Sequence, residues 1–204
     1  MSVCQDEAMA AGDHADRGLP PSQRPSRGWP VVHYGPVPRL RPETWDLRVF
    51  GATATGRETL LDAEAFAALP HSTSSSDLHC VTKWTLRDVE WAGVAAAELL
   101  RVAPPADDVK HVMVWAEYGY SANMPLTAFA APDTILATHA DGEPLSPDHG
   151  FPLRLVCPSL YAWKSAKWVR AVEYLVEDRR GFWEERGYHN RADPWQDQRY
   201  AYQE

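Results

Sequence analysis

Cys80 is the residue of this chain whose type and setting point most directly to chemistry. It lies in the segment DLHCVTKW, residues 77–84, at the end of an apolar run and between His79 and Lys83. Nearby cations favour the thiolate, which is the form that attacks substrates or binds a soft metal. A lone cysteine is more often a small buried hydrophobic residue. The segment taken alone therefore leaves both roles open.

A second candidate nucleophile is Ser121. The sequence GYSAN, residues 119–123, approximates the GxSxG turn that exposes a nucleophilic serine between a strand and a helix. Pro125 follows too soon for a good start to that helix, so a serine hydrolase is the less favoured alternative. The residues that would complete a triad in chain order are Asp133, Asp141, His149 and His189.

Several common chemistries lack their sequence motifs here. The chain contains no GxxxxGK[ST] phosphate loop, no GxGxxG, no HExxH and no CxxC pair. Each of these motifs supplies groups that its chemistry needs at fixed spacing. Hydrolysis of nucleotides by a phosphate loop, ordinary dinucleotide binding and the common zinc sites are therefore disfavoured.

Composition narrows the class of protein further. The 204 residues carry a net charge of -8, which disfavours nucleic acid as a partner. The three cysteines, Cys4, Cys80 and Cys157, are too few for a disulfide scaffold and fit a reducing compartment. We find neither an apolar run long enough to span a membrane nor a hydrophobic signal region. These features predict a soluble, cytoplasmic protein.

The secondary-structure elements that must position the candidate residues, such as Cys80, are predicted to be short. Seventeen prolines favour a β-rich or mixed fold over a helical bundle. Asp62 is a plausible N-cap of a helix that ends at Pro70, and residues 94–103 read as a second helix. The polar segment 71–77 reads as a loop. Apolar or alternating runs predict strands at 44–50, 78–85, 111–118, 134–140, 151–157 and 168–176, the last with a helical alternative.

The chain divides into a leader and one body. Residues 1–28 mix Gly, Pro, Ser and both signs of charge, which predicts a flexible leader. The body then covers residues 29–204. Its last part, residues 177–204, is charged but rich in Trp, Tyr and Phe, so we expect an extended C-terminal segment that packs on the body.

Four sequence blocks, in order, resemble the molybdopterin domain of the sulfite oxidase family. The first is HCVTKW, followed by WAGV at 91–94. The second is DGEPL at 141–145 with HGFPLRLV at 149–156, and the third is YAWKSAKWV at 161–169. The fourth is the GFWE to DPW ending at 181–195. With HYGP at 33–36, the resemblance covers roughly residues 29–200 and is strongest to short, stand-alone bacterial members.

The resemblance implies an α+β, β-rich mixed fold of the sulfite oxidase molybdopterin-domain type. It also implies Mo-molybdopterin as cofactor, with Cys80 as the protein ligand of the metal. Catalytic candidates are Cys80, Tyr120 and Lys83, and Arg154, Lys164 and Lys167 supply cations for the phosphate of the pterin. The residues that fall on or beside cofactor-binding positions are His33, Tyr34, Gly35, His79, Cys80, Ala116, His149, Arg154, Lys164, Ser165, Ala166 and Lys167.

The implied function is oxygen-atom transfer to or from a small-molecule oxo acceptor or donor. Longer members place an arginine soon after the metal cysteine to hold the oxyanion substrate, where this chain has Lys83 and Arg87. The resemblance therefore does not extend to sulfite as the substrate. No segment resembles a haem site, so electrons pass to a separate partner. A non-catalytic molybdopterin-binding protein is the alternative.

Overall fold

The computed structural model describes residues 18–204. Within them the chain forms eleven strands and three short α-helices. In chain order these are β1 (Arg24–Pro25), β2 (Asp46–Gly51), β3 (Thr59–Asp62), α1 (Ala63–Ala67), β4 (His71–His79), β5 (Trp84–Ala95), α2 (Ala96–Val102), β6 (His111–Ala116), β7 (Ser121–Pro125), α3 (Leu126–Phe129), β8 (Ile135–Ala140), β9 (Glu143–Pro144), β10 (Arg154–Val156) and β11 (Val169–Leu175). Short 3₁₀ turns join several of them.

The strands form two sheets. One runs β1-β5-β8-β10, with β4 paired to β5 and β9 to β8, and the other runs β3-β2-β11-β6-β7. Most pairs are antiparallel, whereas β1 with β5 and β2 with β11 are parallel. The predicted β-rich α+β class is confirmed. The segment 168–176 is resolved as a strand rather than a helix.

The main core lies between the two sheets. Leu47 and Val114 from the five-stranded sheet belong to the same fully buried cluster as Val94 and Leu155 from the six-stranded sheet. A second cluster, which includes Trp91, has Trp29 packed against it. Trp29 thereby brings the N-terminal part of the chain to this second cluster, beside the candidate site.

The prediction that residues 71–77 form a loop is wrong. These residues belong to β4, which pairs with β5 from His71 opposite Val94 to His79 opposite Thr85. Side chains in the first half of β4 alternate between exposed and half-buried, so serine and threonine suit a strand with one face near solvent. Their polarity, which suggested a loop, reflects that exposed face.

Residues at both ends of the described chain lie against the body. The Arg24 N–H donates to the Lys83 carbonyl at 3.1 Å, and the Ser26 N–H donates to that of Thr85 at 2.8 Å. The body therefore begins before Trp29, where the sequence analysis placed its start. Residues 1–17 of the predicted flexible leader lie outside the described residues. At the other end, Glu184, His189 and Arg199 are buried.

Within residues 18–204, none of the helices combines the length and the apolar composition that crossing a bilayer requires.

Replacing Asp62 by alanine should destabilise the protein by about 1 kcal/mol, because the cap of α1 is lost. Asp62 Oδ1 accepts a hydrogen bond from the Ala65 N–H at 2.8 Å, as its predicted N-cap role requires. Urea denaturation of the two proteins measures the difference. Asp62→Asn is the control, since asparagine caps equally well; an equal loss in both variants would show that the cap contributes nothing.

Candidate active site

Four segments surround a single cleft: the strip 29–34, the turn after β4, the loop 161–168 and part of the C-terminal segment. The cleft has a volume of about 910 Å³ when the open space at its mouth is included. The sequence-predicted residues that line it are His33, Tyr34, Cys80, Tyr120, Arg154, Ser165, Ala166 and Lys167.

Cys80 lies at one end of this cleft, directly after β4. Its N–H donates to the Trp84 carbonyl at 2.8 Å, and its own carbonyl accepts from the Lys83 N–H at 3.0 Å. This tight turn puts Lys83 at φ +73°. The residue is 6% exposed, and its Sγ lies 3.1 Å from Thr82 Oγ1. The thiol is therefore held against the cleft rather than sealed within the core.

Side chains from both ends of the described chain donate hydrogen bonds to the Cys80 turn. Gln23 Nε2 donates to the Cys80 carbonyl at 3.0 Å. The buried Arg199 donates from Nη1 to the Val81 carbonyl, and its Nε donates to Asp197 Oδ1 at 2.6 Å. Sequence reasoning missed both Gln23 and Arg199, because no local pattern links them to residue 80.

Arg154 forms a buried cationic group in another wall of the cleft. Its guanidinium carbon lies 5.3 Å from the Trp29 ring centre and 5.4 Å from that of Trp91. Nη1 donates to the His149 carbonyl at 3.1 Å. Burial lowers the pKa of Arg154 to about 10, so it remains charged at neutral pH. Within the described chain it forms no ion pair with a carboxylate, which leaves its charge uncompensated.

Lys167 and His149 lie beside Arg154. Lys167 Nζ donates to the Asp148 carbonyl at 2.6 Å, and burial, followed by the charge of Arg154, lowers its pKa to about 7. The His149 ring stacks on Trp29 at 3.9 Å. Burial, followed by Lys167, lowers its pKa to about 4, so the ring is neutral at pH 7. Its buried Nδ1 has no hydrogen-bond partner among the described residues.

These three side chains fit an anionic group. They place two cations and one unpaired ring nitrogen together; the Asp148 carboxylate lies near Lys167 and His149 but does not line the cleft. A phosphate would supply hydrogen-bond acceptors and a counter-charge for Arg154. With a thiol at Cys80 and tryptophan rings between, the residues present fit a flat cofactor that carries a soft metal and a phosphate.

Tyr120 forms part of the cleft wall. Its hydroxyl donates to the Trp163 carbonyl, and burial, followed by the charge of Glu184, raises its pKa well above the usual value. The phenol therefore stays protonated. Ser165 also has an internal role, since its Oγ accepts the Cys157 N–H at 3.0 Å.

An aromatic wall closes the cleft on the side of the C-terminal segment. Trp163 contacts Tyr188 with ring centres 5.0 Å apart, and Tyr188 contacts Trp183 at the same separation. All three residues line the cleft. Sequence reasoning noted that residues 177–204 are rich in aromatic residues, and this composition was the signal that could have placed them at the site.

Lys164 does not face the cleft, contrary to its predicted role in binding the cofactor. Its fully buried Nζ lies 2.6 Å from Glu184 Oε1 and donates to Asn123 Oδ1 at 2.7 Å. The same Glu184 oxygen accepts from Trp163 Nε1 at 2.7 Å. Burial lowers the pKa of Lys164, while Glu184 opposes that shift. The pair joins the loop 161–168 to the C-terminal segment.

Besides His149, which stacks on the lining residue Trp29, four other predicted residues lie outside the cleft lining. Lys83 is exposed to solvent beyond the turn, so its predicted catalytic role lacks the required position. His79 has its Nδ1 2.9 Å from Thr85 Oγ1, on the far side of β4. Gly35 packs behind the strip, near the Tyr118 ring. The Ala116 N–H donates to the Tyr120 carbonyl at 2.8 Å and is not available to a ligand.

The geometry of a serine hydrolase is absent at Ser121. Ser121 begins β7 with ordinary extended backbone, and the following helix α3 has only four residues. Its carbonyl accepts the Phe182 N–H at 2.9 Å, within a strand rather than at an exposed turn. His189, one proposed partner, accepts the Arg191 N–H on its Nδ1 at 3.0 Å. The hydrolase alternative is therefore wrong.

Comparison with known proteins shows a molybdopterin-binding oxidoreductase of the sulfite oxidase family. Residues 34–183 match the family described as the oxidoreductase molybdopterin binding domain, and the chain belongs to that family.

Individual relatives agree with this assignment. The uncharacterized oxidoreductase YuiH of Bacillus subtilis (strain 168) is 43% identical over 185 residues, which cover 90% of this chain and 92% of YuiH. Mitochondrial sulfite oxidase of Drosophila melanogaster is 27% identical, over 78% of this chain but only 32% of its own length. The crystal structure of the sulfane dehydrogenase SoxCD from Paracoccus pantotrophus aligns with a TM-score of 0.65 and 21% identity, over 80% of this chain and 46% of that chain.

Proposed function

We propose that this protein transfers an oxygen atom to or from a small molecule at a molybdenum ligated by Cys80. The observation that carries the proposal is the thiol of Cys80 on the wall of a cleft whose other described lining includes Arg154 and Lys167 but no carboxylate. When bound, Mo-molybdopterin supplies a metal that exchanges an oxo group and two electrons with a substrate.

In this proposal the residues of the chain bind the cofactor and orient it. Cys80 contributes the soft sulfur ligand, because a thiolate suits a metal that changes oxidation state. Arg154, Lys167 and the neutral His149 hold the phosphate of the cofactor by charge and hydrogen bonding. Trp163 and Trp183 exclude water from the reacting end, which strengthens every electrostatic contact there.

The protein exchanges electrons with a separate partner and works in the cytoplasm. The absence of a haem-like segment in the sequence supports the first point. The odd number of cysteines and the two free thiols among the described residues, Cys80 and Cys157, support a reducing compartment.

Purified protein from a host with an intact molybdenum-cofactor pathway should contain close to one molybdenum per chain. Elemental analysis by mass spectrometry provides the measurement, and the same protein from a host unable to make the cofactor is the control. Metal-free protein from the competent host would contradict the proposed cofactor.

A turnover experiment distinguishes an enzyme from the alternative, a non-catalytic molybdopterin-binding protein. We expect the absorption of the loaded protein to change on reduction by a viologen dye and to recover on adding an oxo donor, with sulfoxides and nitrate tested in parallel; sulfite, an oxo acceptor, is tested as a reductant of the oxidised protein. A loaded protein whose absorption never changes would instead be a carrier of the cofactor.

A further inference from the structure

The surface around the Cys80 turn, outside the cleft lining, is basic, although the chain as a whole is acidic. From Gly18 to Pro42 the sequence contains four arginines and no acidic residue. Two of them, Arg24 and Arg27, lie close to Lys83, because β1 pairs with the start of β5 and the Arg24 N–H donates to the Lys83 carbonyl. We call Arg24, Arg27 and Lys83 the basic rim.

The charges of the basic rim are unpaired within the described chain. All three side chains are exposed, and none forms an ion pair with a described residue. Two acidic residues of the nearby β4–β5 hairpin already have a basic partner, since Arg87 Nε lies 3.1 Å from Asp77 Oδ2 and 3.9 Å from Asp88 Oδ2. The rim therefore projects positive charge into solvent.

The basic rim lies behind the candidate metal ligand. The Lys83 N–H donates to the Cys80 carbonyl at 3.0 Å, so one tight turn separates the exposed ammonium from the residue that carries the thiol. The strip 29–34 follows Arg27 closely in the chain and carries Val31, which is 49% exposed and lies outside the cleft lining. Apolar surface edged by charge is the usual composition of a protein docking surface.

We propose that the basic rim and the exposed strip form the docking surface for an acidic electron-transfer protein. The inference rests on the proposed function, in which oxidation of a substrate X with water (X + H₂O → XO + 2e⁻ + 2H⁺) releases two electrons, and the reverse reaction consumes two. Residues from 43 onward hold more acidic than basic residues. An acidic carrier is therefore repelled elsewhere and steered to this rim.

Binding of two redox proteins of opposite charge tests the proposal. Calorimetry would measure the affinity of the purified full-length protein for an acidic [2Fe–2S] ferredoxin and for a basic cytochrome c, at low and at high salt. We expect the ferredoxin to bind, with an affinity that falls as salt rises, and the cytochrome c to bind more weakly. No binding of ferredoxin at low salt, or tighter binding of cytochrome c, would overturn the docking surface.

Charge reversal locates the surface. Arg24→Glu and Arg27→Glu should each weaken ferredoxin binding by about fivefold. Arg57→Glu is the matched control, because Arg57 is equally exposed, has no ion pair among the described residues, and lies in the β2–β3 connection away from the cleft. An equal loss in the control would show that net charge, not the rim, governs binding.

Failure of this inference is distinguishable from failure of the proposed function. Molybdenum content and turnover driven by a viologen dye do not require a docked protein, so both should be unchanged in Arg24→Glu and Arg27→Glu. A variant that loses ferredoxin binding but keeps both properties supports the docking surface. A variant that binds ferredoxin as tightly as the original protein overturns it, whatever the metal content.

Discussion

Replacing Cys80 by serine is expected to lower turnover by more than about a hundredfold, since changes even to groups that only orient metal ligands cost 10- to 100-fold. Serine is close to cysteine in size, so the turn that holds residue 80 should persist. A hydroxyl, however, is a harder ligand and far less acidic than a thiol, and it does not suit a metal otherwise bound by sulfur. The measurements are steady-state turnover with a viologen dye and molybdenum content.

Cys157→Ser is the matched control for this substitution. Cys157 is fully buried, is the other free cysteine among the described residues, and does not line the cleft. Its Sγ lies 3.5 Å from Ser159 Oγ and donates to the Ala128 carbonyl at 3.8 Å, so a hydroxyl can take its place. Turnover should survive in Cys157→Ser. Full activity in Cys80→Ser would remove the thiol from the mechanism.

Replacing Lys164 by methionine is expected to destabilise the fold by about 3–5 kcal/mol, because it leaves a buried carboxylate without its counter-charge. Both side chains of the Lys164–Glu184 pair are completely buried. Glu184 Oε2 already lacks a hydrogen-bond partner among the described residues, so the carboxylate depends on its contacts through Oε1. Urea denaturation with the slope checked for two-state behaviour measures the loss.

A double variant tests whether charge is the cause. Lys164→Met combined with Glu184→Gln removes both charges, while the amide oxygen of glutamine can still accept from Trp163 Nε1. We expect the double variant to be more stable than Lys164→Met alone, which is the sign of a direct coupling between the two residues. Simple addition of the two single losses would show that the pair contributes through packing instead.

Local patterns in the sequence predicted the parts of the structure that local forces decide. The N-cap at Asp62 is one example, because its partner is three residues away. The strand predicted at 78–85 is only partly correct, because residues 80–83 form the turn between β4 and β5. The segment 71–77 was misread because its pairing with β5 is a contact between distant residues, which outweighs the polarity of the segment.

The sequence alone did not predict the direction in which each side chain of a motif points. Lys164 and Lys167 belong to the same block and are both lysines, yet Lys167 lines the cleft and Lys164 turns into the interior. The difference depends on Glu184, twenty residues further along the chain, whose carboxylate lies behind the loop. The family resemblance assigned both lysines to the cofactor and did not distinguish their directions.

The hydrogen bond from Arg199 to the Cys80 turn has a consequence for biosynthesis. Arg199 reaches the Val81 carbonyl across 118 residues of sequence. A ribosome must therefore synthesise all of β5 to β11 and most of the segment 177–204 before that donor exists. The Cys80 turn acquires its final hydrogen bonds only after Arg199 has left the ribosome and packed against it.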